Sequence, residues 1–157
     1  MVTLGLSIGL SVGDTKFAEA ERAFAESLET ARDLPAGTRW FVGHWGFQYY
    51  MERAGARALG ATDDSPRSGD LVVISRYADP HRIRQDVIDR FVLVRIVEAP
   101  SRWPFRTLTF RVPGFFHANT ARVPVPMTPF IFLPYGLSTE PLDRFHLYRV
   151  TPGGAVQ

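Results

Sequence analysis

Cysteine is absent from the 157 residues, and lysine occurs once, at Lys16. The first absence excludes disulfides, thiolate nucleophiles and cysteine-based metal sites, and identifies no compartment. The second leaves arginine to carry almost all the positive charge within a net charge of +2. Arginine makes planar, bidentate contacts with carboxylate and phosphate. No RNP-like, zinc-finger or helix-turn-helix signature accompanies it, so no nucleic-acid partner is expected. The four histidines, His44, His81, His117 and His146, show no HxH or HExxH spacing, and no metal site is expected. Gly43 and Gly46 lack the Lys-Ser/Thr of a phosphate loop and the third glycine of a dinucleotide fingerprint, and no GxSxG elbow occurs, so no cofactor is expected.

What remains is the composition of one globular domain, 45% hydrophobic and 22% charged, without repeats or low-complexity tracts. Residues 1–13 are uncharged and rich in Leu, Val, Ile, Gly and Ser. They fall short of the roughly 20 apolar residues that cross a bilayer and lack the basic n-region of a secretory signal. Two readings stand: a buried element of a soluble domain, or the end of a transmembrane helix that begins outside this chain. Residues 14–157 are then a single soluble α/β domain.

Asp14 is placed to cap a helix over 15–33, whose apolar stripe runs Phe17, Ala20, Phe24, Leu28 and Ala31 with an interruption at Glu21. Leu34-Pro35-Ala36-Gly37 ends it. Thr38 to Val42 reads as a buried strand, and from Gly46 the spacing Phe47, Tyr50, Met51, Ala54, Ala58 marks a second helix. A polar loop over 60–69 precedes a strand at 71–75. Asp79-Pro80 starts a short helix packed through Ile83, Val87 and Ile88, and 91–97 is a third strand. Helices between strands favour parallel pairing, so the first three strands are expected as neighbours in one sheet. Thr107–Val112 and Phe145–Val150 read as later strands with at least one antiparallel pairing. Between them, Gly114 to Tyr135 is too rich in proline for a regular helix or central strand. The predicted fold class is α/β: a mixed, partly parallel sheet with flanking helices and a Pro/aromatic-rich irregular segment.

The most informative run is Trp40-Phe41-Val42-Gly43-His44-Trp45-Gly46-Phe47-Gln48-Tyr49-Tyr50-Met51-Glu52, where strand period gives way to helix period. It puts His44 and Trp45 in a strand-to-helix turn, where open α/β sheets expose groups to ligands. His44, Trp45, Tyr49 and Glu52 are the candidate ligand-binding residues. Aromatic faces suit sugar rings, and the His and Glu supply hydrogen bonds or proton exchange. The competing reading makes His44 a structural residue satisfied by backbone and Trp45 a core residue. No residue is assigned a catalytic role.

This run, with Arg53-Ala54-Gly55-Ala56 and Gly69-Asp70-Leu71-Val72-Val73, and more loosely Gly114-Phe115-Phe116 and Pro129-Phe130, resembles the soluble C-terminal domain of bacterial family 39 membrane glycosyltransferases, relatives of the protein O-mannosyltransferases. Such enzymes transfer sugar from a polyprenyl-phosphate donor, and their catalytic acid lies in an extracytoplasmic loop of the membrane region. The resemblance implies a membrane-associated, non-catalytic accessory domain on the extracytoplasmic, periplasmic side. Its implied partners are the membrane-embedded glycosyltransferase domain and the polyprenyl-phosphate sugar or acceptor. The alternative is a free-standing small α/β enzyme or ligand-binding protein that uses the His44-Trp45 turn.

Overall fold

Short runs rich in Val, Ile, Phe and Trp pair as strands because their branched and aromatic side chains pack well on a pleated surface. The computed structural model describes residues 2–60, 65–78, 80–106 and 136–152. In it β1 (Arg39–Val42) lies parallel to β2 (Arg57–Ala58) on one side and to β3 (Leu71–Ser75) on the other. The sheet continues through β7 (Arg144–Val150), antiparallel to β3, to β4 (Phe91–Glu98) at the edge. The order is β2-β1-β3-β7-β4, and a second, two-stranded antiparallel sheet joins β5 (Phe105–Arg106) to β6 (Gly136–Leu137). The three apolar runs predicted to share a sheet do so. β4 is not a neighbour of β3, however, because the C-terminal strand β7 enters between them.

Two helices cover one face of the sheet. α1 (Val2–Thr30) and α2 (Trp45–Arg53) bury Phe24, Ala25, Leu28, Phe47 and Met51 against Phe41, Leu71, Val73, Phe145 and Leu147. The Phe145 ring stacks 3.8 Å from that of Phe24 and 5.7 Å from that of Phe47, tying both helices to β7. The opposite face buries Val42, Leu59, Val72 and Val150 under Trp40, Ile83, Phe91 and Tyr148.

Several boundaries differ from the sequence expectation. Residues 2–13 continue α1 without a break, so Asp14 lies within the helix rather than at its cap. The hydroxyls of Ser7 and Thr15 bond back to the carbonyls of Thr3 and Ser11 instead of competing with the helix. The glycines of this segment admit β5: a Cβ on Gly13 would stand 2.7 Å from the Phe105 carbonyl oxygen, and the Trp103 indole donates to the Gly9 carbonyl at 2.9 Å. Among the described residues no helix is long and apolar enough to cross a membrane.

α2 stops at Arg53 rather than running to Ala58, since Gly55 takes φ 78° and the Ala56 N–H closes on the Met51 carbonyl at 2.9 Å. Arg57 and Ala58 then form β2, a two-residue strand too short to leave a periodic signal. The short helix begins at Gln85, as α3 (Gln85–Ile88), rather than at Pro80. β4 exposes Val92, Leu93, Val94 and Ile96 and carries a register shift between Leu93 and Arg95. A bulge of this kind twists an edge strand away from further pairing. The predicted strand at 107–112 and the Pro-rich stretch 114–135 lie outside the described residues.

Candidate functional site

The chain leaves β1 through Gly43, whose φ of 151° admits it alone and whose absent Cβ would meet Phe47 at 2.8 Å. The His44 N–H donates to the Ala78 carbonyl at 2.7 Å, fastening the turn to the loop that follows β3. His44 is the N-cap of α2, in extended conformation and with no side-chain capping bond. Trp45 follows at φ 56°, the only non-glycine residue with positive φ among those described. That region costs an ordinary L-residue roughly 1–2 kcal/mol, and here it holds an indole that remains 46% exposed.

Helical spacing puts Trp45, Tyr49 and Glu52 on one side of α2. Tyr49 is 58% exposed, and the Glu52 carboxylate accepts a bond from the Gln48 amide at 2.8 Å. His44 brings in a residue that sequence spacing does not connect with it: the His81 ring lies 5.6 Å away, tilted by 44°. His81 Nε2 is 2.7 Å from the Leu59 carbonyl oxygen. A carbonyl only accepts, so Nε2 carries the proton and Nδ1 of neutral His81 is an acceptor. The C-terminal ends of β1, β2 and β3 thus converge on the turn, as the sequence predicts for a strand-to-helix junction in an α/β sheet.

Beneath the turn lie two buried acids. Glu21 of α1 is 4% exposed, and its Oε2 stands 2.6 Å from where a Cβ on Gly46 would be. It has no hydrogen-bond partner among the described residues. Burial, reinforced by the charge of Asp143, pushes its carboxyl up to about 8, so it holds its proton at neutral pH. Asp143 is satisfied: it accepts from the Ser75 hydroxyl at 2.5 Å and from the N–H groups of Arg144, Arg76 and Tyr77 at 2.7, 3.1 and 3.3 Å. Burial raises it to about 6 against the downward pull of those bonds, leaving it ionised at pH 7.

The site therefore offers an exposed aromatic side, two imidazoles, and a carboxylic acid able to donate a hydrogen bond. Among the described residues no group of three His, Asp or Glu could hold a metal ion. Sequence reasoning found the turn and missed Glu21, His81 and Asp143. Glu21 had a signal, a charged residue in the core-facing stripe of α1; the other two are brought in only by tertiary pairing. No protein-family model, no curated protein and no solved structure matches the chain.

Proposed function

We propose that the chain is a non-catalytic domain that holds a sugar at the His44-Trp45 turn, and that it serves as an extracytoplasmic accessory domain of a polyprenyl-phosphate-sugar-dependent membrane glycosyltransferase. The observation that carries the sugar site is Trp45: a residue held at φ 56° with a half-exposed indole. Backbone in this region persists where the surroundings over-determine it, and such residues cluster at ligand sites. An indole face with Tyr49 one turn further along the same side is the surface on which a pyranose ring stacks. The accessory role rests on the family resemblance of the run from Trp40 to Glu52 and its flanking motifs.

Titration of the purified chain with mannose and glucose, followed by calorimetry, tests the site. Binding should be weak and saturable, and His44→Ala should reduce it while leaving stability within about 1 kcal/mol, as for a half-exposed substitution. Loss of stability without loss of binding would make His44 structural. A second reading, a small α/β enzyme, is favoured by one observation, the protonated Glu21 carboxyl, a general acid available at neutral pH. Sugar transfer from a polyprenyl-phosphate donor by the isolated chain, abolished by His44→Ala, would favour it over the accessory role.

A further inference from the structure

The fold brings two imidazoles together, His44 from the end of β1 and His81 from the segment after β3, with ring centres 5.6 Å apart. Both residues are half-buried. Their hydrogen bonding is unequal. His81 gives its Nε2 proton to the Leu59 carbonyl at 2.7 Å, which fixes the tautomer and leaves the Nδ1 lone pair without a hydrogen-bond partner among the described residues. The His44 ring makes no hydrogen bond to them through either nitrogen, although its backbone N–H is fastened to the Ala78 carbonyl. None of these three nitrogens is sealed from solvent. A histidine kept only to shape the turn would bond to the backbone around it; this ring faces a second imidazole instead.

We propose that His81, through Nδ1, and His44 form a two-imidazole site for a divalent transition ion of the Zn²⁺ class. The bond from His81 to the Leu59 carbonyl is the kind that orients a metal-ligating histidine, whose second nitrogen then goes to the metal. Two imidazoles on one tetrahedral Zn²⁺, with Zn–N of about 2.0–2.1 Å, have ring centres about 5 Å apart. The observed separation closes to that with a small turn of the His44 ring, which no hydrogen bond resists. Because no third His, Asp or Glu completes a cluster among the described residues, the ion keeps positions for water or for an oxygen of a ligand at the turn. The choice of ion follows from the donors. Imidazoles without a carboxylate suit Zn²⁺ and Cu²⁺ rather than Mg²⁺ or Ca²⁺, and the N-terminal end of α2 beside His44 repels a cation held by charge alone. The site does not rest on the sugar reading.

The test is a titration of the full chain with Zn²⁺, read by calorimetry and by the ring-nitrogen resonances of the histidines, with Mg²⁺ in parallel. Zn²⁺ should bind saturably and move His44 and His81 together, and the His81 nitrogen that moves should be Nδ1. Mg²⁺ at the same concentration should move neither ring. His44→Ala should weaken Zn²⁺ binding at least about tenfold, since even the loss of a group that merely orients a ligand costs a metal site about 10–100-fold. His81→Gln offers an amide N–H to the Leu59 carbonyl but no ligand nitrogen at the Nδ1 position, so it should weaken binding as much while urea unfolding shows the fold intact. Should His44→Ala fail to fold, His81→Gln decides. His146→Ala, on β7, should bind as the parent does. No saturable Zn²⁺ binding, an equal response to Mg²⁺, shifts confined to other histidines, coordination through His81 Nε2, or affinity unchanged in His81→Gln overturns the site.

Discussion

Replacing Glu21 by glutamine should stabilise this protein, and do so only where Glu21 is ionised in the unfolded chain. The carboxyl titrates at about 8 in the fold against an ordinary 4.5. Because the folded value lies above the unfolded one, the unfolded chain releases the proton first as pH rises. Stability is therefore fully present below pH 4.5, declines between 4.5 and 8, and is level above 8 with respect to this group. Each pH unit costs ~1.4 kcal/mol, a ceiling of about 5 kcal/mol above pH 8, which relaxation and water entry will cut to roughly 2–4 kcal/mol. Asp143 adds a smaller loss of the same sign between its ordinary 3.8 and about 6, and the variant retains it. Urea unfolding of both proteins from pH 4 to pH 9 isolates Glu21 as the difference between two curves. They should coincide at pH 4 and diverge by several kcal/mol at pH 9, the variant being more stable. A variant that is less stable than the parent at pH 9 would refute the reasoning, since it would show the ionised carboxylate to be well partnered.

Ser75→Ala should cost about 1.5–3 kcal/mol in urea unfolding, because the hydroxyl donates to a charged, buried Asp143 and accepts from the Ala78 N–H at 2.9 Å. Asp70→Asn should cost about as much: Asp70 accepts from the Thr38 and Arg67 N–H groups and the Trp40 indole, and an amide would turn donors against one of those sets. Trp45→Asn keeps a residue that tolerates the left-handed region, so stability should change by under about 1 kcal/mol while sugar binding by calorimetry disappears.

The stripe of α1, the strand-to-helix turn and the parallel pairing of β1 with β3 were legible in the sequence because each is local: a period, a glycine pair, a helical crossover. The insertion of β7 between β3 and β4 was not, since an antiparallel return from the far end of the chain is decided by which edge it buries. β2 was hidden because two residues, Arg57 and Ala58, hold their place only through pairing with Trp40 and Phe41. At the site, His44, Trp45, Tyr49 and Glu52 share a turn and one helical side, which spacing reveals. Glu21 and His81 arrive from distant segments. Only the misplaced charge of Glu21 could have announced one of them, and it read as an interruption because burying a lone carboxyl is costly unless the proton stays on.

The most direct test of the sugar site is backbone amide mapping of the labelled chain across a monosaccharide titration. The account predicts saturable shifts confined to Gly43–Tyr49, Ala78 and His81, at the C-terminal ends of the parallel strands. At the other end of β1 lies an open groove of about 410 Å³ lined by Pro35, Gly37, Arg39, Gly55 and Arg57. Shifts clustered in that groove, or no saturable shift at the turn with any sugar, would contradict it.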